Sequence, residues 1–196
     1  ATADGVLDRL RISVSDNHST DATAEVLAEA KAEWGEALAV RVQERNVGLE
    51  ANAVALLEQA RAPYVMFLGD DDYLPEGYLR RVFELLDADP ALGCVVAGFS
   101  SLFPDGSAVP NRRARFGERT FPPGFRAVLK VARYGHQLSG LVLRREGLVE
   151  AYLARPELRN IYLFIFLVGH CALRGPAWYL PRFQVLVSQG NAKDWK

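Results

Sequence analysis

The most informative segment of the chain is Tyr64-Val-Met-Phe-Leu-Gly-Asp-Asp-Asp-Tyr-Leu-Pro75. Its first five residues predict a buried strand, and Pro75 predicts the start of a helix, where a missing N–H costs nothing. The carboxylates of Asp70, Asp71 and Asp72 repel one another by about 1 kcal/mol or more per pair, and a divalent cation removes that repulsion. The segment therefore predicts a metal site that also holds a phosphate-bearing ligand, or else a solvated acidic turn that caps the next helix.

Strands and helices alternate around this segment. Strands are predicted at residues 11–15, 38–42 and 64–68. The helices that follow them are predicted at residues 22–34, 50–60 and 75–88. Such alternation predicts an α/β fold with a mostly parallel central sheet that is covered by helices on both faces. Polar turns at residues 16–21, 43–48 and 69–74 follow the three strands, so we expect them at one edge of the sheet, where ligands bind.

The second half of the chain is predicted to be less regular. Its strands are expected at residues 93–99, 138–143, 178–180 and 185–187, and its helices at residues 125–134, 146–154 and 158–173.

The overall composition excludes several classes of protein. The chain has 196 residues, 23 basic and 24 acidic, with a net charge of −1, so bulk electrostatics do not favour nucleic-acid binding. Cys94 and Cys171 lie in apolar surroundings, which fits a reducing cytoplasm better than a disulfide framework. The first ten residues lack the apolar core of a signal peptide. The apolar run 160–173, which has no charged residue, is too short for a transmembrane segment and predicts a buried helix.

Four segments resemble those of the inverting GT-A glycosyltransferases of family 2. Residues 12–21 are similar to the family's strand plus DxxSTD segment, residues 44–52 to its N-x-G-x-x-x-N segment, and residues 64–75 to the segment that carries its D-x-D motif. Residues 139–145 are similar to its acceptor-side strand. The resemblance implies a GT-A (Rossmann-like) α/β/α sandwich formed by residues 1–196 as a single domain. Residues 10–90 would bind the nucleotide sugar, and residues 91–196 the acceptor.

The resemblance also assigns roles to individual residues. Asp16 would bond the base of the nucleotide, and Asp70 and Asp71 would hold its ribose and a Mg²⁺ or Mn²⁺ ion. The implied nucleotide-binding residues are Asp16, Asn17, Arg45, Asn46 and Asp70. The implied metal ligands are Asp71 and Asp72, and whether Asp72 closes the D-x-D motif or follows it stays open.

The chain departs from the family pattern in two places. A first strand that ends in P-x-Y-N is expected to be absent, because residues 1–10 resemble the family's segment after that strand; the chain is then a fragment or a truncated form. The family's Glu-Asp pair, whose aspartate is the general base, is replaced by Asn160-Ile-Tyr162. The alternative bases are Glu157, the nearest acid, and His136, whose imidazole can accept a proton.

The sequence predicts a metal-dependent glycosyltransferase that uses a UDP-, dTDP- or GDP-sugar in the cytoplasm. Its acceptor would be a saccharide, a lipid-linked molecule or a small molecule, and contact with a membrane surface is compatible with the absence of a transmembrane segment. Two alternatives stay open. One is a non-catalytic nucleotide-sugar-binding or scaffold domain of the same fold. The other is a phosphatase that uses Asp70-x-Asp72, against which Tyr73 stands where that class prefers a small or β-branched residue.

Overall fold

The computed structural model describes residues 6–190, without the side chains of Leu7, Arg112 and Arg113. Residues 1–5, the beginning of the segment that resembles the family's segment after its first strand, lie outside the described residues. The strands are β1 (Ile12–Asp16), β2 (Leu38–Val42), β3 (Tyr64–Met66), β4 (Cys94–Leu102), β5 (Ala108–Pro110), β6 (Arg119–Phe121), β7 (Val142–Arg144) and β8 (Ala177–Ser188). The helices are α1 (Thr23–Trp34), α2 (Gly48–Gln59), α3 (Tyr78–Ala88), α4 (Phe125–Val131), α5 (Leu148–Leu153) and α6 (Leu163–Arg174).

The strands form two separate hydrogen-bonded sheets. β1 and β2 pair in parallel, and the larger sheet has the order β3-β7-β4-β8-β6, with β5 paired to β4. In the larger sheet only β4 and β8 are parallel. The prediction of a mostly parallel central sheet is therefore wrong, and the sheet is mixed. The reason is local: β5 returns beside β4 as a hairpin, and β7 inserts antiparallel between β3 and β4.

Helices cover both faces of the larger sheet. On one face, Tyr78, Val82 and Leu85 of α3 pack against β4 and β8. On the other face, residues of α2, α4, α5 and α6 form a second core cluster. The predicted α/β/α sandwich is confirmed.

Several element boundaries differ from those predicted. The helix after the carboxylates begins at Tyr78 rather than at Pro75, because Gly77 takes a left-handed conformation with φ 76°. The predicted strand 138–143 is shortened to β7, because Gly140 has φ 78° and forms a turn. The two short late strands are one strand, β8, whose register against β4 shifts after Leu180. A residue in the left-handed conformation continues neither a helix nor a strand. The bounds predicted from sequence periodicity therefore extended too far at Gly77 and at Gly140.

Within residues 6–190, no helix is both long and apolar enough to cross a bilayer. Cys94 and Cys171 are buried free thiols, as expected from their apolar neighbours.

Candidate functional site

The loops after β1 and β2 are joined by hydrogen bonds. The Asn17 side chain donates to Asn46 Oδ1 at 2.9 Å, and its own Oδ1 accepts from the Val47 N–H at 2.9 Å. The Gln43 N–H donates to the Asp16 carbonyl at 2.9 Å. Three of the predicted nucleotide-binding residues, Asp16, Asn17 and Asn46, therefore lie in one cluster.

Asp16 itself is buried and shapes the first loop. Its Oδ1 accepts from the Ser19 N–H at 3.0 Å and from the Ser19 hydroxyl at 2.5 Å. His18, between them, has φ 69°, and its Nδ1 lies 3.3 Å from the Gln43 carbonyl. Arg45 is exposed on the neighbouring loop. The cluster thus presents one fixed carboxylate and one solvent-facing cation.

A small polar network fastens the start of α2 to β1. Asn52 donates to the Ser15 carbonyl at 3.1 Å and accepts from the Ser15 hydroxyl at 2.6 Å and from Gln43 at 3.1 Å. Asn52 is the last residue of the N-x-G-x-x-x-N segment, so the motif was visible in the sequence. Its role in positioning α2, and the contributions of Ser15 and Gln43, were not predicted.

The path of α2 brings the acidic loop to the same edge. The start of α2 lies beside the end of β1, and α2 runs away from that edge for 12 residues, about 18 Å. Only four residues then separate its last residue, Gln59, from Tyr64 of β3. Because β3 begins where α2 ends, it runs back towards the edge at which β1 ends. We infer that residues 69–72 lie at the edge that carries Asp16 and Asn46.

Asp72 is buried, 8% exposed, and holds the acidic loop against the sheet. Its Oδ2 accepts from the Ser139 hydroxyl at 2.5 Å and from Gln137 at 3.3 Å. Its Oδ1 accepts from the Ser188 N–H at 3.1 Å. Donors from the turn before β7 and from the end of β8 thus satisfy this carboxylate.

Three side-chain oxygens converge on Gly69. A Cβ placed there would lie 3.3 Å from Asp72 Oδ2 and 3.4 Å from both Asp71 Oδ1 and Ser139 Oγ. Gly69 also donates its N–H to Ser139 Oγ at 2.9 Å. Asp71 is half-buried and Asp70 is exposed. A side chain at this position would crowd the space that the three oxygens face.

This oxygen set suits Mg²⁺ or Mn²⁺. Among residues 6–190, no group of three or more His, Cys, Asp or Glu side chains is arranged to hold a metal. Mg²⁺, however, is normally bound by one or two carboxylates together with substrate phosphates, not by an all-protein cage. Asp71 and Asp72 can supply those one or two carboxylates.

An open cleft of about 730 Å³ lies between residues of β4, β5 and the 3₁₀ turn Ala132–His136. Its lining residues are Phe99, Ser101, Val109, Pro110, Asn111, Arg133, Tyr134 and His136. A smaller pocket shares Phe99 and Tyr134 with it and is also lined by Gln137 and Ser139. Gln137 and Ser139 are hydrogen-bond partners of Asp72, so the smaller pocket borders the acidic loop.

His136 and Glu157, the two predicted bases, lie in different surroundings. His136 lines the cleft, packs edge-on against Phe99, and has Nδ1 2.7 Å from the Arg133 carbonyl. A carbonyl only accepts, so Nδ1 carries the proton and Nε2 of the neutral ring keeps its lone pair. Glu157 lies in the 3₁₀ turn Pro156–Leu158 between α5 and α6, where it pairs with Arg155 at 3.8 Å. It does not line the cleft.

Ser139, Gln137 and Ser188 are site residues that the sequence analysis did not identify. Ser139 was visible as the residue before Gly140 in the acceptor-side segment, but no signal linked it to Asp72. The Ser188 hydroxyl donates to the Asp71 carbonyl. Its contacts arise only because β8 pairs with Tyr73, an arrangement that no local pattern predicts.

Comparison with known proteins gave one family and several solved structures. The model of "Glycosyl transferase family 2" matches residues 3–143. No curated protein matches the chain significantly.

Two of the similar structures are of residues 1–349 of TarS from S. aureus. The complex with UDP has a TM-score of 0.66 and 20% identity, covering 91% of this chain and 51% of that one. The complex with UDP-GlcNAc has a TM-score of 0.69 and 18% identity, covering 95% and 52%. GalNAc-T7 with UDP, GalNAc and Mn²⁺ has a TM-score of 0.63 and 14% identity, covering 95% and 39%. The chain spans about half the length of TarS residues 1–349 and 39% of the GalNAc-T7 chain. These likenesses confirm the predicted GT-A fold.

Proposed function

The chain belongs to glycosyl transferase family 2, and we propose that it transfers a sugar from a nucleoside-diphosphate sugar to an acceptor hydroxyl. One observation carries the proposal: the oxygens of Asp71, Asp72 and Ser139 converge on Gly69. From the path of α2 and β3 we infer that the loop cluster around Asp16 and Asn46 lies at the same edge of the fold. Such an edge can hold a nucleoside on one side and its diphosphate on the other.

The donor is proposed to lie across the three loops of residues 10–90. Asp16 and Asn17 would face the base, Arg45 and Asn46 the nucleoside, and Asp70 the ribose. UDP is the first nucleotide to test, because two solved structures of TarS, which has the same fold, hold UDP or UDP-GlcNAc. dTDP and GDP are the alternatives.

The metal is proposed to be Mg²⁺ or Mn²⁺, held by Asp71 with Asp72. When bound, it would neutralise the charge of the leaving nucleoside diphosphate. Since the Asp72 oxygens already accept three hydrogen bonds, Asp71 is proposed as the main ligand and Asp72 as the residue that positions the loop.

The acceptor is proposed to occupy the cleft beside Ser139, within residues 91–196 of the same domain. The acceptor oxygen forms a bond to the anomeric carbon while the bond from that carbon to the phosphate oxygen breaks. The proton of the acceptor hydroxyl goes to a general base, and the electron pair of the broken bond leaves with the diphosphate. We favour His136 over Glu157 as this base, because His136 lines the cleft and its Nε2 can accept a proton.

A non-catalytic domain that binds a nucleotide sugar is the second candidate. It is motivated by Asn160, which stands where the family usually has a carboxylate. Asn160 accepts from the Tyr162 N–H at 2.7 Å and so caps the segment before α6. The phosphatase alternative has no support from the family match.

Turnover separates these candidates. The donors to test are UDP-GlcNAc, UDP-GalNAc and UDP-glucose, each with Mn²⁺ and a panel of saccharide, lipid-linked and small-molecule acceptors. At least one combination of donor and acceptor is expected to give acceptor-dependent release of UDP. Asp71→Asn is expected to abolish it. Binding of UDP without turnover of any donor would select the non-catalytic domain, and hydrolysis of p-nitrophenyl phosphate without nucleotide binding would select the phosphatase.

The proposed location is the cytoplasm. This is supported by the free thiols of Cys94 and Cys171, which fit a reducing compartment. No role in nucleic-acid binding is proposed.

A further inference from the structure

The outer face of α4 carries exposed apolar side chains next to cations. Phe125 and Leu129, one helical turn apart, are 70% and 64% exposed, and Arg126 and Lys130 are exposed beside them. Isolated surface leucines are common, but large apolar side chains grouped on one face mark an interaction site. We name Phe125, Arg126, Leu129 and Lys130 the α4 face.

The apolar part of the α4 face continues onto α6. Gly124 donates its N–H to the Ala172 carbonyl at 2.9 Å, which sets the start of α4 beside the end of α6. The next residue of each chain segment, Phe125 and Leu173, is exposed, Leu173 by 52%. Phe125, Leu129 and Leu173 thus form one apolar ridge on two packed elements.

The apolar side chains of this ridge are not part of the hydrophobic core. The opposite side of α4 is fully used: Ala127 and Val131 are completely buried, and Val128 lies over Gly169 of α6. With 3.6 residues per turn, Phe125 and Leu129 share a side that points away from those contacts. A rotation of the helix could not bury them without exposing Ala127 and Val131.

The sequence segment that contains α4 is basic. From Arg119 to Arg145 the sequence has six Lys or Arg residues and no Asp or Glu, although the whole chain has a net charge of −1. In the part of the chain that the structure describes, neither Arg126 nor Lys130 forms an ion pair. These cations are therefore available to a partner.

We propose that the α4 face, with Leu173, docks on an anionic lipid bilayer. Phe125, Leu129 and Leu173 enter the boundary between headgroups and acyl chains, and Arg126 and Lys130 lie against the anionic headgroups. This division of apolar and cationic side chains on one helix is what an interfacial helix needs. A second copy of the chain fits less well, because two identical faces would bring their cations together.

Docking would also orient the proposed acceptor cleft. α4 continues into the 3₁₀ turn Ala132–His136, and the next residues, Gln137 and Ser139, contact Asp72. A molecule bound through α4 therefore holds its cleft close to the membrane, which favours the lipid-linked class among the predicted acceptors. This consequence rests on the proposed function, whereas the docking itself does not.

Co-sedimentation with vesicles tests the docking without any sugar substrate. The chain is expected to bind vesicles of phosphatidylcholine with phosphatidylglycerol, not vesicles of phosphatidylcholine alone, and added salt is expected to weaken binding. The double variants Phe125→Ser/Leu129→Ser and Arg126→Gln/Lys130→Gln are each expected to weaken binding by about tenfold or more.

Two matched double variants serve as controls. Val26→Ser/Phe103→Ser removes two apolar side chains that are exposed elsewhere, and Arg11→Gln/Arg41→Gln removes two exposed cations elsewhere. Both are expected to bind anionic vesicles like the unmodified chain. Circular dichroism verifies that every variant is folded, which is expected because all eight side chains are on the surface.

Three results would overturn the proposal. They are equal binding to both kinds of vesicle, no binding to either, and binding that the α4 variants leave unchanged. If vesicles are not bound but light scattering shows a dimer that Phe125→Ser/Leu129→Ser dissociates, the face belongs to a second copy of the chain.

Discussion

Asp72 differs from Asp70 and Asp71 in its burial and hydrogen bonds, which only the folded structure shows. The sequence offers three identical carboxylates in a row, and the register of the D-x-D motif cannot be read from them. In the structure Asp70 is exposed, Asp71 is half-buried, and Asp72 is buried among donors from Ser139, Gln137 and Ser188. The sequence could not predict this ranking, because the donors come from segments 65 or more residues away.

Replacing Asp72 is expected to destabilise the fold more than replacing Asp70. Asp72→Asn turns an acceptor into a donor in front of buried donors, which we expect to lower the free energy of unfolding by about 1–3 kcal/mol. Asp70→Asn, at an exposed position, is expected to change it by less than about 0.5 kcal/mol. Urea unfolding measures both. Equal stability of the two variants would show that the hydrogen bonds to Asp72 do not anchor the loop.

His136 is expected to affect turnover and not the binding of the donor. His136→Gln removes the proposed base while it keeps a polar side chain of similar length, so we expect kcat to fall by about 100-fold or more. The thermal shift produced by UDP should stay unchanged. Glu157→Gln is the parallel measurement: if it lowers kcat by more than His136→Gln does, Glu157 is the base and our preference is wrong.

At the scale of elements, sequence periodicity predicted the first half of the chain well. β2 has the predicted bounds, α1 begins one residue later than predicted, and α2 begins two residues and ends one residue earlier. Each of these elements is separated from the next by a polar turn. The second half was predicted less well. β7 and β8 owe their limits to the turn at Gly140 and to the register shift after Leu180, which depend on partners distant in sequence.

The ion pair between Glu50 and Arg159 joins α2 to the segment before α6. Arg159 donates to both Glu50 oxygens, at 2.8 and 3.1 Å, and this hydrogen bonding lowers the pKa of Glu50. A carboxyl whose pKa is lower in the folded state adds stability above its unfolded pKa, about 4.3. That stability is lost as the pH falls through the folded value.

Arg159→Gln is accordingly expected to destabilise the chain in a pH-dependent way. Because Arg159 is exposed and water screens the pair, we expect only a small loss of stability at pH 7. The difference from the unmodified chain should shrink below the unfolded pKa and vanish once Glu50 is protonated in both. Urea unfolding from pH 7 downwards measures it. A difference that does not depend on pH would mean that Arg159 acts through packing and not through charge.

For the whole molecule, the sequence predicted the GT-A architecture and the family but not the division into two sheets. β1 and β2 are hydrogen-bonded only to each other among the described strands. α2 connects them to the larger sheet, because Asn52 of α2 bonds to β1 and the buried residues of α2 belong to the core cluster on one face of that sheet. Strand alternation predicts neighbours along the chain; it does not reveal which strands exchange hydrogen bonds. That the chain lacks the family's first strand stays a prediction.

The central proposal is that the loops after β1, β2 and β3 hold a nucleoside diphosphate through a metal. One measurement tests it directly. Thermal unfolding is followed with UDP, with Mn²⁺ and with both, for the unmodified chain and for Asp71→Asn. At about 100 times the dissociation constant, we expect UDP with Mn²⁺ to raise the Tm by about 5–10 °C, well beyond either ligand alone. Asp71→Asn should fold and lose that gain. A shift that needs no metal, or that Asp71→Asn retains in full, would contradict the proposal.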